Sequence, residues 1–504
     1  MRRAGAAIPR RRLRRAFVAA AATAVLSTGP APLGATECSD ALDNDADGRT
    51  DLDDAGCLMD PARDDETGEF VATSTADEVD ASPGDGLCES SPSSECTVRA
   101  AIMETNALGG AQGVQLPAGT FELTIGPVDF SSPSAADGDL NVSGDLVLIG
   151  EGPDQTGIGG DLAHLSFRVL DVLPATQVTI SGVTVRRGYA KYALDNDDFN
   201  GGGIRSAGTL TLIDSSVSRN RARDSGGGIH STGDLTLIDS RVAYNFAPYV
   251  GGGIYAEAGS LTLVDSSVSD NAIGRYFFGV AIASWVPATL TRTTVSGNYS
   301  TVPYGTAGVF PVTNFDATMT LTNSTVSGNG HGGIANSGVL TLINTTVAGN
   351  TTPGYTLAGV NTGSGAQTVS TNSIIAENGS RNCTGPFQSD GHNLSDDTTC
   401  FPGTGTDIVA PAQLGPLADH GGPTETHLPM TGSPAIDAGD DAACPETDQR
   451  GVPRPQDGDD PPDGMAHCDI GAVELAPEPG ASLLLAAGAA LLLALRVRAA
   501  HRAA

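Results

Sequence analysis

Lysine is almost missing from this chain. Lys191 is the only one in 504 residues, and 27 lysines and arginines stand against 59 aspartates and glutamates, a formal charge of −32. A phosphate backbone is held mainly by cations that release its counterions, so such a chain repels nucleic acid, which is excluded as a partner. Aromatic residues make up 5% of the sequence, with one tryptophan, and charged residues 17%. That leaves too few bulky groups to fill one large globular core. Cys-x-x-Cys spacing is missing as well, which removes zinc fingers and thioredoxin-like redox sites. Present in their place are 65 glycines, the mark of a punctuated, repetitive architecture, and a surplus of carboxylates suited to a solvated surface and to divalent cations.

The repeats occupy the middle of the chain. Asn220, Asn245, Asn271, Asn298, Asn329, Asn350 and Asn378 recur at spacings of 21 to 31 residues. A second column, Gly-Gly-Ile or a variant, recurs at Ile204, Ile229, Ile254, Val309, Ile334 and Val360. Between the columns apolar residues alternate, as at Leu210, Leu212 and Val217, which is strand periodicity with a bend. Units of this length bury an inward face only by stacking on their neighbours. The expected fold is therefore all-β, a right-handed single-stranded parallel β-helix, with about ten to twelve coils between Val114 and Ile375. Stacked asparagine amides would bond along the axis, their left-handed tendency turning the chain between sheets. Residues 221–225, 246–250 and 274–278 read as protruding loops.

A third column holds Asp214, Asp239, Asp265, Arg292, Asn323 and Asn344. Stacked aspartates near an arginine would suit a calcium-assisted polysaccharide lyase, but the asparagines sharing the column indicate a turn ladder. His164, His230 and His331 read as loop residues, and no catalytic residue is assigned. The eight cysteines fall into local pairs, Cys38 with Cys57, Cys88 with Cys96, Cys383 with Cys400, and Cys444 with Cys468. An even count closing short loops suits disulfides formed in an oxidising compartment.

Inside the first pair, Asp43, Asp45 and Asp47 stand at the first, third and fifth places of a loop. Gly48 follows, then Arg49 offering a backbone carbonyl, Asp51, and Asp54 at the twelfth place. This is the oxygen-rich set that calcium needs, and Ca2+ is the expected cofactor; an acidic linker is the alternative. The segment resembles thrombospondin type 3 repeats, although Asp54 is shorter than the glutamate an EF-hand would carry.

Residues 1–35 read as a signal peptide: Arg10, Arg11, Arg12, Arg14 and Arg15, an apolar run over 16–26, and small residues at Gly34 and Ala35. At the other end Pro477, Glu478 and Pro479 precede an apolar stretch over 481–495 closed by Arg496, Arg498 and Arg502. This order resembles PEP-CTERM sorting tails, which implies an exosortase-like sorting protease as partner and transient membrane association. A plain anchor is the alternative, though about fifteen apolar residues fall short of the roughly twenty that span comfortably. Cys96-Thr97-Val98-Arg99-Ala100-Ala101-Ile102, with Leu116-Pro117-Ala118-Gly119-Thr120, resembles the CSLREA module of bacterial surface β-helices. Val98, Ala101, Ile102 and Thr105 share one helical face that could cap the first coil, and Arg99 reads as structural. Gly432-Ser433-Pro434-Ala435-Ile436-Asp437, Asp448-Gln449-Arg450-Gly451 and Cys468-Asp469-Ile470-Gly471 resemble the choice-of-anchor Q module. It is expected to cap the last coil, with Arg450 and Asp469 as an ion pair or turn clamp.

The organisation expected is thus a signal peptide (1–35), a disulfide-closed calcium loop (36–66), an N-terminal helical cap (67–124), β-helix repeats (114–400), a choice-of-anchor Q-like module (401–476) and a sorting tail (477–504). These features imply an exported protein of the cell envelope, cell surface or extracellular space. The task expected is that of a non-enzymatic scaffold for adhesion or for interaction with extracellular polysaccharide or surface proteins, with a polysaccharide lyase or glycoside hydrolase as the alternative.

Overall fold

The computed structural model describes residues 69–126, 134–160, 167–191, 199–274, 279–301, 310–351, 359–403, 405–458 and 464–476. Among them the chain winds into a parallel β-helix with three long faces. The first sheet has 12 strands, running from Glu69–Val71 through Thr209–Ile213 and Leu261–Val264 to Phe387–Ser389; the second also has 12, from Gly119–Glu122 through Ser267–Ser269 to Ile408–Val409; the third has 10, from Leu140–Val142 to Cys383–Thr384. Every rung pairs in register, as Leu210 with Leu235 and Val217 with Val242. The right-handed sense is the one twisted parallel strands impose on crossovers.

Alternation decides which side chains fill the tube. Leu237, Leu263 and Leu290 of the first sheet, Val242, Val268 and Val295 of the second, and Ile229, Ile254 and Ile282 of the third are all fully buried, and their stacked rows form one continuous core. The third-sheet partner of Ile282 and Ile334 is Val312; the expected column had placed Val309 there. Val309 itself lies outside the described residues.

The asparagine ladder forms, and its geometry differs from expectation in one respect. Asn220, Asn245, Asn271, Asn298, Asn329, Asn350 and Asn378 each donate Nδ2 and backbone N–H to Oδ1 of the next asparagine at 2.8–3.3 Å, Asn378 passing both bonds to Asn382. The left-handed residue is the one before the asparagine: Arg219, Tyr244, Asp270, Gly297, Gly328 and Gly349 have φ from 57 to 66°. The third column is a turn ladder, since Asp214, Asp239, Asp265, Arg292, Asn323 and Asn344 all have φ from 42 to 52°. A ladder the sequence did not announce lies beside it: Ser215 and Ser240 donate backbone N–H to the hydroxyls of Ser240 and Ser266 at 3.1 Å.

Two of the expected loops begin as strands and continue as bends, and residues 275–278 of the third lie outside the described residues. Arg221–Ala222 and Phe246–Ala247 belong to a small 5-stranded sheet between the second and third faces. Helix α1 (Val98–Leu108) covers the N-terminal end, capped by Thr97, whose hydroxyl accepts from the Ala100 amide. Arg99 is buried against Asp77, with Nε donating to Oδ1 at 2.5 Å and Nη1 to the Ala135 carbonyl at 2.7 Å, a structural clamp. Glu69–Val71 already pairs with Gln112–Leu116, so the first sheet begins before the helix.

The C-terminal segment departs most from expectation. It folds back along the outside of the second sheet instead of closing the last coil. Gln449 donates to Thr294 and Thr424 hydroxyls at 2.7 and 2.9 Å and accepts from Thr325 at 2.6 Å. Asn323 donates to the Thr447 carbonyl, and Gly471 to the Asn372 carbonyl. Ile470, Ala435 and Ala412 pack on Ile374, Ala376 and Leu394. Near the last coil, Cys383–Cys400 closes a loop, and the buried Phe401 directly after it is set edge-on to Phe387. Arg450 and Asp469 do not pair: Arg450 binds Asp448 at 2.9 Å, Arg454 faces Glu474 at 3.4 Å, and Asp469 accepts from the Asp437 and Leu475 amides.

Candidate functional site: a groove beside the C-terminal segment

The folded-back segment covers only part of the second sheet. At its edge the outward-facing residues remain open and form a groove of about 650 Å³. The floor follows from strand alternation. In Ser267–Ser269 and Thr294–Ser296 the central valine points into the tube, so the flanking hydroxyls point out. Register then aligns Arg241, Ser267 and Thr294 in one row and Ser269, Ser296 and Ser327 in another.

The two turn columns flank the floor at either edge of the second sheet, and the folded-back segment adds Leu417, Pro423, Thr424 and Glu425 to the lining. Asp265 receives Arg292 through two bonds of 2.6 Å from Nε and Nη2, and this hydrogen bonding raises the arginine pKa further. Arg241 lies 3.6 Å from Asp270 and donates to the Ser269 hydroxyl at 3.2 Å. Tyr244 is 49% exposed, with the guanidinium carbons of Arg219 and Arg241 at 5.4 and 5.5 Å from its ring centre. His427 braces the wall. Its Nδ1 must donate, because its partner at 2.7 Å is the Gly415 carbonyl, so the neutral ring accepts from Ser327 at 2.7 Å through Nε2. Burial lowers its pKa and keeps it neutral. A hydroxyl floor, paired charges and one open aromatic ring form a surface that can bond a hydroxylated polymer at many points.

A second polar tract lies on the third sheet. Asp171, Arg205, His230 and Tyr255 come into register on successive strands. Arg168 reaches Asp139 and Asp171 at 3.5 and 3.6 Å, and Arg205 reaches Asp171 at 3.3 Å. Burial pushes Asp139 up to about 7 against the pull of Arg168. His230, expected in a loop, sits in strand Ile229–Ser231, its Nε2 2.9 Å from Glu257 and its ring stacked on Tyr255. Of the other histidines, His331 lies in a turn with its pKa lowered by burial, and His164 falls outside the described residues.

Asp43, Asp45, Asp47, Arg49, Asp51, Asp54 and the Cys38–Cys57 pair lie outside the described residues, as do both terminal signals. Among the described residues no histidine, cysteine and carboxylate group is clustered to hold a metal. Disulfides join Cys88 to Cys96, Cys383 to Cys400 and Cys444 to Cys468. Nothing in the sequence pointed to the groove beyond the hydroxyls flanking each core valine.

No protein-family model matches the chain, and no curated protein is significantly similar in sequence. Three solved structures are distantly alike. Pectate lyase Pel9A is 15% identical with a TM-score of 0.41, covering 80% of this chain and 97% of its own. The A-module of Azotobacter vinelandii mannuronan C-5 epimerase AlgE6 is 17% identical at 0.35, over 61% and 77% of the two chains, and that of AlgE4 14% at 0.33, over 60% and 88%. At that distance they supply no activity for this chain, whose β-helix stands on its own strand pairing.

Proposed function

We propose that this protein is an exported, surface-associated β-helix scaffold that retains an extracellular polysaccharide in the groove without cleaving it. The observation that carries the reading is the groove itself, about 650 Å³ of hydroxyl-lined surface with Tyr244 open at its side. Sugar recognition needs an aromatic face for C–H groups and closely spaced partners for hydroxyls. Three disulfides in the described residues suit an oxidising compartment. With them go the CSLREA-like and choice-of-anchor Q-like stretches, a calcium loop at Asp43–Asp54 and a PEP-CTERM-like tail cut by an exosortase-like protease. Incubation with a glycan panel, with and without calcium, tests the reading. Retention of a polymer, weakened by Tyr244→Ala and unaccompanied by new reducing or unsaturated ends, is expected; release of such ends would replace it with the enzymatic reading.

A further inference from the structure

Residues 219–223 form one rung of the small 5-stranded sheet with the turn before it, and alternation decides where their side chains point. Asn220 and Ala222 are buried, while Arg219, Arg221 and Arg223 are exposed. At about 3.3 Å of rise per residue the three arginines leave the coil roughly 6–7 Å apart, in a line across the axis. Other arginines face a carboxylate, as Arg99 does Asp77, Arg292 does Asp265 and Arg454 does Glu474. Among the described residues no carboxylate pairs with Arg219, Arg221 or Arg223. Aromatic rings seat them instead. Arg219 lies over Tyr244 at 5.4 Å, Arg221 between Tyr189 and Phe246 at 5.2 and 4.9 Å, and Arg223 over Phe199 at 4.5 Å. Register sets the central seat, since Tyr189, Arg221 and Phe246 are partners on adjacent rungs. Arg223 Nη1 also reaches the Lys191 carbonyl at 3.5 Å. One coil earlier the exposed Arg187 holds the same left-handed turn position as Arg219, with φ of 60 and 58°.

A ring stacked on a guanidinium occupies its face and leaves the N–H groups at its edge, the geometry that takes an oxyanion through two bonds. Neighbouring acids are otherwise engaged: Asp224 is half-buried and accepts from the Ser225 hydroxyl at 3.2 Å, and Asp270 faces Arg241. Charge is screened over about 8 Å at physiological ionic strength, so a group bound on this row meets the arginines rather than the −32 of the whole chain. A stiff nucleic-acid duplex would extend beyond three cations into the field of a chain with 59 acidic residues; a single glycan strand can follow the row. We propose that Arg219, Arg221 and Arg223 form a docking row for an acidic glycan, whose carboxylate or sulfate groups take the guanidinium edges. The row meets the groove at Tyr244, but none of its three arginines lines the groove, and it does not depend on what the groove holds.

The full-length protein is titrated by calorimetry with polygalacturonate, dextran sulfate, uncharged dextran and duplex DNA, in EDTA so that no calcium bridges acid to acid. The expected result is saturable binding of at least one acidic glycan, weakened by salt, about threefold weaker in Arg221→Gln or Arg223→Gln alone and about tenfold weaker in the two combined. Which acidic glycan binds tells whether carboxylate or sulfate is the group held. Any affinity for uncharged dextran is the same in wild type and variants. Arg381→Gln removes an equally exposed charge at the last coil and leaves binding unchanged. Unchanged circular dichroism in the variants shows that folding is intact. The row is overturned if neither acidic glycan binds, if Arg381→Gln weakens binding as much as Arg221→Gln, or if DNA binds as tightly as the glycans. An acidic glycan bound equally by wild type and the combined variant also overturns it while leaving the groove reading standing.

Discussion

Replacing Asn271 by leucine keeps the side-chain shape and deletes its polar atoms, which makes it a clean probe of the ladder. Asn271 is fully buried. Its Oδ1 accepts the Asn245 backbone N–H and Nδ2, both at 3.0 Å, while its Nδ2 donates to the Val242 carbonyl at 2.9 Å and to Asn298 Oδ1 at 3.1 Å. In the variant, Asn245 Nδ2 still reaches the Val217 carbonyl, and Asn298 Oδ1 still receives the residue 271 amide. The Asn245 backbone N–H loses the acceptor the ladder gives it, in a place water does not reach. An orphaned buried amide costs about 1–3 kcal/mol and a lost neutral bond about 1, so a destabilisation of about 2–4 kcal/mol is expected. For a cooperative unit of about 400 residues this lowers Tm by roughly 3–5 °C. In a solenoid each coil is held by its neighbours, so the loss should be concentrated around residue 271. Hydrogen exchange resolved by mass spectrometry should show faster exchange in peptides containing Asn245 and Asn271, with peptides near Val114 unaffected. An unchanged Tm together with unchanged exchange at Asn245 would refute the claim that this ladder organises the coils.

Gly227→Ala should destabilise the coil by about 1–3 kcal/mol in chemical denaturation, since its Cβ would lie 2.4 Å from the Gly252 carbonyl oxygen and 2.5 Å from the Phe246 carbonyl carbon. Gln449→Ala takes the acceptor from the buried Thr325 hydroxyl, while Thr294 and Thr424 keep their bonds to the Glu425 and Arg292 carbonyls, and should cost about 1–3 kcal/mol, seen as faster proteolysis of residues 410–476 while the coils stay resistant. Burial, and then Glu474, push Asp469 up to about 8, whereas an unfolded aspartate titrates near ~3.9. The native state keeps a proton that the unfolded chain loses, so this stabilisation is full below about pH 4 and is lost as pH rises toward 8. Asp139, raised to about 7, acts in the same direction. Denaturation at pH 5 and pH 8.5 should show the lower stability at 8.5, with a flatter profile in Asp469→Asn; a steeper one would contradict the assignment.

The coil and the asparagine column were legible in the sequence because each repeats a local rule. A valine or leucine at every second position fills the tube, and an asparagine returns at each turn with two donors and an acceptor to pass on. The left-handed residue before each asparagine was not legible. Arg219, Tyr244 and Asp270 hold that conformation as Gly297 and Gly328 do, so residue type carries no common signal. The register of Val312 was hidden by the uneven spacing of the repeats.

What only the tertiary structure decided lies between residues far apart in the chain. The Asp171, Arg205, His230 and Tyr255 column shares no residue type, and register alone brings it together. The folded-back segment meets the coils through pairs such as Gln449 with Thr294, 155 residues apart. Its wording says nothing of where it docks, because docking depends on which outward rows offer hydroxyls and which offer Ile374 and Ala376. The groove exists only where that docking stops. A periodic sequence determines its own stacking through nearest-neighbour contacts, while a site formed at the edge of a long-range contact is set by the shapes of two surfaces that no local pattern encodes.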